Sequence, residues 1–407
     1  MDKLNELKKI LEQYNHEYLL TYYDRLDEID KEKFINQILE IDFDKQIKLF
    51  NATLNKENSK NFDEVAPINA FDENNINEDK LIEYMSIGEE QIKNGKLAIV
   101  TLAGGQGTRL GHFGPKGTYM LVPNKSLFEI LCDTLKKANK RYNTTVTWYI
   151  MTSRENNDET IEFFENNNYF DYPKESIIFF VQNDLPMNKL NGEIVVNEAG
   201  LVKKGSDGHG GVFDAMLKNN ILEDIKKKGI EWGFVTPVDN PLIELVDSLF
   251  VGIATKEKFD VISKAIRKEN PNQKSGVFCL KDNIINVLEY TEISPELMNK
   301  KDEKGDLFLK YAHINCNMFN IKTIDNILNI DLPYHIAKKK ATCLSRDGKI
   351  IIPDEPNAYK YEKFIFDYFP YINNVGILNV DRKKEYEPVK NSAEKARIAY
   401  LNKKMKG

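Results

Sequence analysis

Cysteine is scarce, with 4 residues in a chain of 407, at positions 132, 279, 316 and 343. They are too scattered to form a Cys-x-x-Cys pair, so they read as reduced thiols in apolar surroundings rather than a disulfide framework or a metal cluster. Histidine is nearly as rare, at 5 residues, and no two stand at the spacing that would share a zinc ion. No apolar run approaches the length of a membrane span. The opening Met1-Asp2-Lys3-Leu4-Asn5-Glu6 lacks the apolar segment of a secretion signal, which leads to the expectation of a cytoplasmic location. Positive charge is not in excess: 57 Lys and Arg stand against 63 Asp and Glu, for a net charge of −6. That balance argues against a nucleic-acid-binding face, which is normally basic, but leaves phosphate ligands open because a few local cations suffice for them. There is no Gly-x-x-x-x-Gly-Lys-Ser/Thr loop, and Gly105-x-Gly107-x-x-x-Gly111 misses the dinucleotide fingerprint by one residue. No internal repeat is present, nor any low-complexity tract beyond an Asn/Lys bias.

What is present is an ordinary globular composition, 41% hydrophobic and 29% charged, in a chain long enough to bury one large core with smaller additions. The most informative stretch is the apolar run Leu97-Ala98-Ile99-Val100-Thr101-Leu102, followed by Ala103-Gly104-Gly105-Gln106-Gly107-Thr108-Arg109-Leu110-Gly111 and then Gly114-Pro115-Lys116-Gly117. The run reads as a buried strand. The glycines let the backbone turn sharply and bring its N–H groups close to an anion, and Arg109 and Lys116 add positive charge to the same loop. A strand feeding such a loop predicts a phosphate cradle.

Around it, apolar runs alternate with helical patterns. Leu4, Leu7, Leu11, Tyr14 and Tyr18 recur at helical spacing, and the pattern resumes at Phe34, Ile38 and Leu39. Asp42-Phe43-Asp44 has the form of a glycosyltransferase metal motif, but its context is that of a solvated helix end. Residues 51–80, rich in Asn, Glu, Asp and Lys, read as a surface linker ending in a helix from about 79 to 94. Strands are expected at 146–151, 177–181 and 232–238, with helices at 159–166 and 212–228, the latter ended by Gly229. This alternation implies an α/β protein with a mostly parallel sheet covered on both faces, which binds ligands at the C-terminal ends of its strands. Beyond about residue 260 the strands (261–265, 276–280, 284–290) crowd together as an antiparallel extension, and a Pro-, Tyr- and Phe-rich portion from about 348 ends in a basic helical tail.

Leu-Ala-Gly-Gly-Gln-Gly-Thr-Arg-Leu-Gly, with Pro-Lys-Gly just after it, resembles the signature of the UTP-dependent sugar-1-phosphate uridylyltransferases, and among them the UDP-N-acetylhexosamine pyrophosphorylases most. The resemblance runs over nearly the whole chain, from His16-Glu17-Tyr18-Leu19-Leu20 to Glu387-Pro388-Val389-Lys390-Asn391. It implies a Rossmann-like, GT-A-like nucleotidyltransferase fold, with a helical N-terminal region over 1–90, a catalytic domain over 91–345 and a small C-terminal domain over 346–407 that folds back on the site. It also implies a reaction joining UTP to a sugar 1-phosphate, giving a UDP-sugar and pyrophosphate. Two multiply charged anions must then be held in line, which proteins achieve by positioning and by cations placed where charge builds up. Arg109, Lys116 and Lys390 fit those catalytic places. Mg²⁺ prefers a carboxylate plus phosphate oxygens, and Asp239, in Val238-Asp239-Asn240 at a strand end, is its candidate ligand. For the nucleotide, the resemblance points to Leu102, Ala103, Gly104 and Gly105 on one side of the base, to Gly208 behind it, and to Gln182, whose amide can both donate and accept. Met151-Thr152-Ser153 and the stretch from Gln182 to Leu185-Pro186 match the family here. For the sugar it points to Gly276, Glu289, the segment Tyr311-Ala312-His313-Ile314-Asn315 and the Phe-x-Phe stretch Phe364-Ile365-Phe366.

Two departures bear on the sugar. His209 stands where the hexosamine enzymes carry Asn in Gly-Asn-Gly-Gly, and His313 stands in place of Asn in Gly-Asn-Ile. Gly-His-Gly is closer to the UDP-glucose and broad-specificity UDP-sugar pyrophosphorylases. N-acetylglucosamine 1-phosphate is the expected sugar substrate, with glucose or galactose 1-phosphate as the alternative. Two further readings are a nucleotide-sugar-binding regulator without catalysis, against which Arg109, Lys116, Asp239 and Lys390 all argue, and a glycosyltransferase. The latter needs an Asp-x-Asp at a strand end, whereas Asp239 is followed by Asn240 and Pro241.

Overall fold

The structure, a computed structural model, describes residues 3–54, 64–390 and 392–406. Residues 55–63, within the stretch expected to be a linker, and Asn391 lie outside the described residues. The main sheet has ten strands: β1 (Phe71–Asp72), β2 (Leu97–Leu102), β3 (Thr147–Thr152), β4 (Ile177–Val181), β5 (Trp232–Pro237), β6 (Val261–Arg267), β7 (Val277–Lys281), β8 (Ile284–Leu288), β9 (Tyr311–Asn320) and β10 (Val375–Asn379). Across the sheet their order is β1-β10-β6-β9-β5-β2-β3-β4, with β7 bonded to β9 and β8 to β7. Along that path every pair is parallel except the two made by β9. Central parallel strands are covered on both faces, so β2 reads as a continuous apolar run, with Leu97 to Val100 all buried.

The covering helices carry their own start and stop signals. Ser126 accepts from the Glu129 N–H (3.1 Å) to open the helix Leu127–Tyr142, and Asn143, in the left-handed region, closes it. The helices Glu78–Lys93 and Ser248–Lys256 cross at two glycines. A methyl group on Gly88 would lie 1.8 Å from the Ser248 carbonyl oxygen, and one on Gly252 would lie 1.7 Å from that of Tyr84.

The chain forms two compact units: Met1–Ser59 with Asn183–Gly210 and Pro333–Phe364, and Lys60–Gln182 with Gly211–Leu332 and Ile365–Gly407. In the first, Leu7, Leu11, Phe34 and Ile38 pack against Ile194, Val196 and Val202 from the inserted stretch. The Asp-x-Asp motif opens the helix Phe43–Leu54, where Asp42 accepts from the Lys45 N–H (2.9 Å), as its helix-end reading anticipates. The second unit holds the main sheet.

Several expectations change. The stretch 64–77 is not a plain linker, since β1 within it pairs with β10 at the sheet edge; two residues are too short a strand to leave a periodic pattern. The helix expected over 212–228 is two, Val212–Lys218 and Ile221–Lys227, separated by Asn220 in the left-handed region. β6 is antiparallel to β9, as expected, but its other edge pairs in parallel with β10, so it joins the antiparallel part of the sheet to a parallel edge, while β7 and β8 form an antiparallel hairpin. The C-terminal portion contributes to both units, as residues 346–364 belong to the first and β10 to the main sheet of the second.

Gly88→Ala and Gly252→Ala should each lower stability by about 1–3 kcal/mol or more, because backbone atoms rather than flexible side chains occupy the space. The midpoint of urea-induced unfolding measures this, and an unchanged midpoint in both variants would contradict the close crossing.

Candidate active site

The pairing of β2 with β5 sets the site. Their register matches Leu102 with Pro237, so both strands end at one level and release their loops side by side. After β2 the backbone folds on itself: the Lys116 N–H donates to the Gly105 carbonyl (2.9 Å), and the Gly107 N–H to that of Gly114 (2.9 Å). Gly105 is exposed, with open space where a side chain would stand, as a ligand-facing backbone requires. Arg109 is exposed on the short turn Thr108–Leu110.

Lys116 reaches across to the other strand end. Its Nζ lies 2.6 Å from Asp239 Oδ2, and both side chains are about one-fifth exposed, at 18% and 20%. The Asp239 carbonyl in turn accepts from the Val389 N–H (2.8 Å), which brings the segment carrying the exposed Lys390 to the same place. Among the described residues no cluster of three or more His, Cys, Asp or Glu side chains could hold a metal ion. One carboxylate next to a cradle for phosphates suits a magnesium ion that takes its remaining ligands from substrate oxygens and water.

On the other side of the cradle, the Gln182 amide lies over Gly104. A side chain on Gly104 would meet Gln182 Nε2 at 2.4 Å, so this glycine is a close approach and not only a turn. Gln182 is held by its N–H to the Thr152 carbonyl (2.9 Å), and Ala103 by its N–H to that of Met151 (2.7 Å). Leu102, Ala103, Gly104 and Gln182 therefore gather around the ends of β2, β3 and β4. A residue that sequence reading missed braces them: the buried Asn156 donates to the carbonyls of Ala103 (3.0 Å) and Gly105 (3.4 Å) while accepting from the Ser153 N–H (2.8 Å).

The sugar candidates Gly276, Glu289, His313 and Phe366 also form one group. The His313 N–H donates to the Gly276 carbonyl (2.9 Å), and a methyl on Gly276 would lie 3.1 Å from Glu289 Oε1. A bulge re-aims His313: Ala265 of β6 faces His313 and Lys264 faces Cys316, which leaves Ile314 and Asn315 as extra residues in β9. The imidazole is 8% exposed, edge-on to Phe278, Phe366 and Phe369, and its Nε2 lies 3.0 Å from Asn317 Oδ1. Burial lowers its pKa from 6.5 to about 4, with the Asn317 hydrogen bond opposing, so the ring is neutral at neutral pH. Phe366 is itself buried.

In the first unit, Gly208 has φ +87°, and a side chain there would meet the Lys363 backbone at 2.4 Å, so both its conformation and its space demand glycine. His209 stacks on Phe364, with centroids 5.1 Å apart, and Phe364 stacks on His335 at 4.0 Å. All four cysteines are buried and free, and burial pushes the thiols of 132, 279 and 316 up to about 12, which agrees with inert reduced thiols.

A mostly parallel sheet whose central strand ends in a glycine-rich anion cradle, with a lysine set against a carboxylate on the next strand, defines a nucleotidyltransferase. The family model described as UTP–glucose-1-phosphate uridylyltransferase matches residues 43–400, and the chain belongs to that family of uridylyltransferases. It is 38% identical over 344 residues to the UDP-N-acetylglucosamine pyrophosphorylase of Saccharomyces cerevisiae, covering 80% of this chain and 72% of that one. It is 36% identical over 394 residues to a Dictyostelium discoideum protein named "Probable UDP-N-acetylglucosamine pyrophosphorylase", covering 92% of this chain and 81% of the other. The crystal structure of the Trypanosoma brucei UDP-N-acetylglucosamine pyrophosphorylase in complex with an inhibitor superimposes with a TM-score of 0.82 at 26% identity, covering 99% of this chain and 85% of that one. No helix among the described residues is long and apolar enough to cross a membrane.

The buried His313 carries a pH signature. Between pH 6.5 and 4 the unfolded chain binds a proton on this residue that the native chain refuses, so the native state loses stability as pH falls through that window. The loss from this group is on the order of 3 kcal/mol. His313→Asn should therefore fall in stability less steeply than the parent from pH 6.5 to pH 4, as measured by denaturant titrations, and parallel slopes would show that the ring is not held neutral.

Proposed function

We propose that the chain catalyses transfer of a uridylyl group from UTP to N-acetylglucosamine 1-phosphate, forming UDP-N-acetylglucosamine and pyrophosphate, reversibly. The observation that carries this reading is the Lys116–Asp239 pair at the ends of adjacent strands, with the Lys390 segment bonded to the Asp239 backbone. The names of the relatives support the sugar. In the reaction an oxygen of the sugar phosphate attacks the α-phosphorus of UTP, and the bond from that phosphorus to the bridging oxygen breaks as pyrophosphate leaves. Lys116, Arg109 and Lys390 hold the phosphates in line and offset the charge that spreads over them. Asp239 holds Mg²⁺, which when bound adds further positive charge at the phosphate oxygens. Leu102 to Gly105 and Gln182 hold the uridine. No side chain serves as a covalent nucleophile in this reading.

Glu289, Gly276 and His313 serve the sugar in this reading, His313 from its place against Phe366. His209, half-buried and stacked on Phe364, is the residue that favours a second reading, UDP-glucose or broad UDP-sugar synthesis. A neutral imidazole offers one donor and one acceptor where an asparagine amide offers two donors and an acceptor.

Lys116→Ala and Arg109→Ala should each cut turnover roughly a hundredfold or more, since each removes a charge that stabilises the transition state. Near-normal turnover would remove that residue from the phosphate site. Asp239→Asn keeps its volume and should abolish the response of activity to Mg²⁺; an unaltered Mg²⁺ titration refutes the assignment. The double change His209→Asn, His313→Asn should raise kcat/KM for N-acetylglucosamine 1-phosphate relative to glucose 1-phosphate by about fivefold or more, the worth of one hydrogen bond. UTP kinetics should be little altered, and a constant ratio would mean that the histidines do not read the sugar.

A further inference from the structure

Lys264 is a charged residue in the middle of the apolar strand Val261-Ile262-Ser263-Lys264-Ala265-Ile266, and its side chain is 0% exposed. Its Nζ lies 2.8 Å from Asp247 Oδ2 and 2.8 and 2.7 Å from the two carboxylate oxygens of Glu385. The second Glu385 oxygen also accepts from the Glu244 N–H (3.2 Å), and Asp247 uses its other oxygen to cap the helix Ser248–Lys256. Burial alone would discharge this lysine, but the two carboxylates hold its pKa above the ordinary value, so the lysine stays charged, while burial raises the pKa of Glu385. A buried ion pair adds little stability over a well-packed apolar side chain, but it fixes one geometry where an apolar contact would tolerate several.

The backbone so fixed leads directly to the site. The Glu385 carbonyl accepts from Asn240 Nδ2 (2.7 Å), and Asn240 Oδ1 accepts from the Glu387 N–H (3.3 Å). Two residues further on, the Val389 N–H donates to the Asp239 carbonyl (2.8 Å), and Lys390 follows. Asn240 is fully buried, so its amide is committed to this strap.

We infer that Lys264, Glu385 and Asn240 are positioning residues: they lock the segment 385–389 onto the Asp239 loop and thereby place Lys390 for the transferring phosphates. This rests on the reading of Lys390 as a phosphate-binding group. The reaction gains from the lock because a lysine on an unrestrained segment would sample many positions, and misplacement by about 1 Å can cost on the order of a hundredfold in rate.

The test compares Glu385→Gln and Lys264→Met, each alone and combined with Lys390→Ala, by steady-state kinetics with UTP and N-acetylglucosamine 1-phosphate; thermal melting identifies the folded variants. Each clamp variant should lower kcat about tenfold or more with the UTP KM nearly constant, and neither should lower kcat further once Lys390 is alanine. If Lys264→Met does not fold, the near-isosteric Glu385→Gln decides the matter alone. Fully multiplicative losses in the double variants, or a folded Glu385→Gln with parental kcat beside a slow Lys390→Ala, overturn the clamp. Parental turnover of Lys390→Ala overturns the underlying phosphate role instead, and the clamp falls with it.

Discussion

The constraint on which the site depends is the parallel pairing of β2 with β5. Parallel neighbours in register end together, so the loops that follow them start a few ångströms apart, however far apart they lie in sequence. Leu102 opposite Pro237 therefore makes Lys116 and Asp239 neighbours across 123 residues, 2.6 Å apart. A slip by one residue would turn every side chain of the strand to the other face and separate the two loop origins. The long buried run of β2 is what makes such a slip costly.

The loop after β2 is not a bare cluster of positive charge. Lys116 is already neutralised by Asp239, and the oxygen that could serve a cation is one that an ammonium group occupies. In the proposed reaction, phosphates would draw on the lysine and a cation on the carboxylate of this same pair. Arg109 stands exposed on its turn, and Lys390 is exposed as well.

Much of this was legible in the sequence because it is local. The cradle is one contiguous stretch, and the strands before Lys116 and Asp239 carry unbroken apolar runs, so the elements, their parallel character and the placing of both residues at strand ends could all be read. What could not be read is non-local or irregular. The tie between Lys264 and Glu385 spans 121 residues, and its only local trace is a lysine interrupting the apolar run of β6. The bulge in β9 rests on Asn315, which looks like any strand asparagine until it takes a positive φ. β1 is too short for periodicity. The burial of His313 depends on three phenylalanines from other segments, so its packing could not be read from its own stretch of chain.

The two units have a temporal side. The helical core built on Leu7, Leu11 and Phe34 needs Ile194 and Val196, and the remainder of its unit is encoded as late as Phe364. The sheet that begins with β1 is filled by β10, about three hundred residues later in translation order. Neither of these two units can therefore close before Phe364 has been made. The nascent chain must carry apolar helices and unpaired strand edges for most of its synthesis, a state prone to association with other chains. Interleaving of this kind makes both units wait on late-made residues, 333–364 for the first and those from 365 onward for the second.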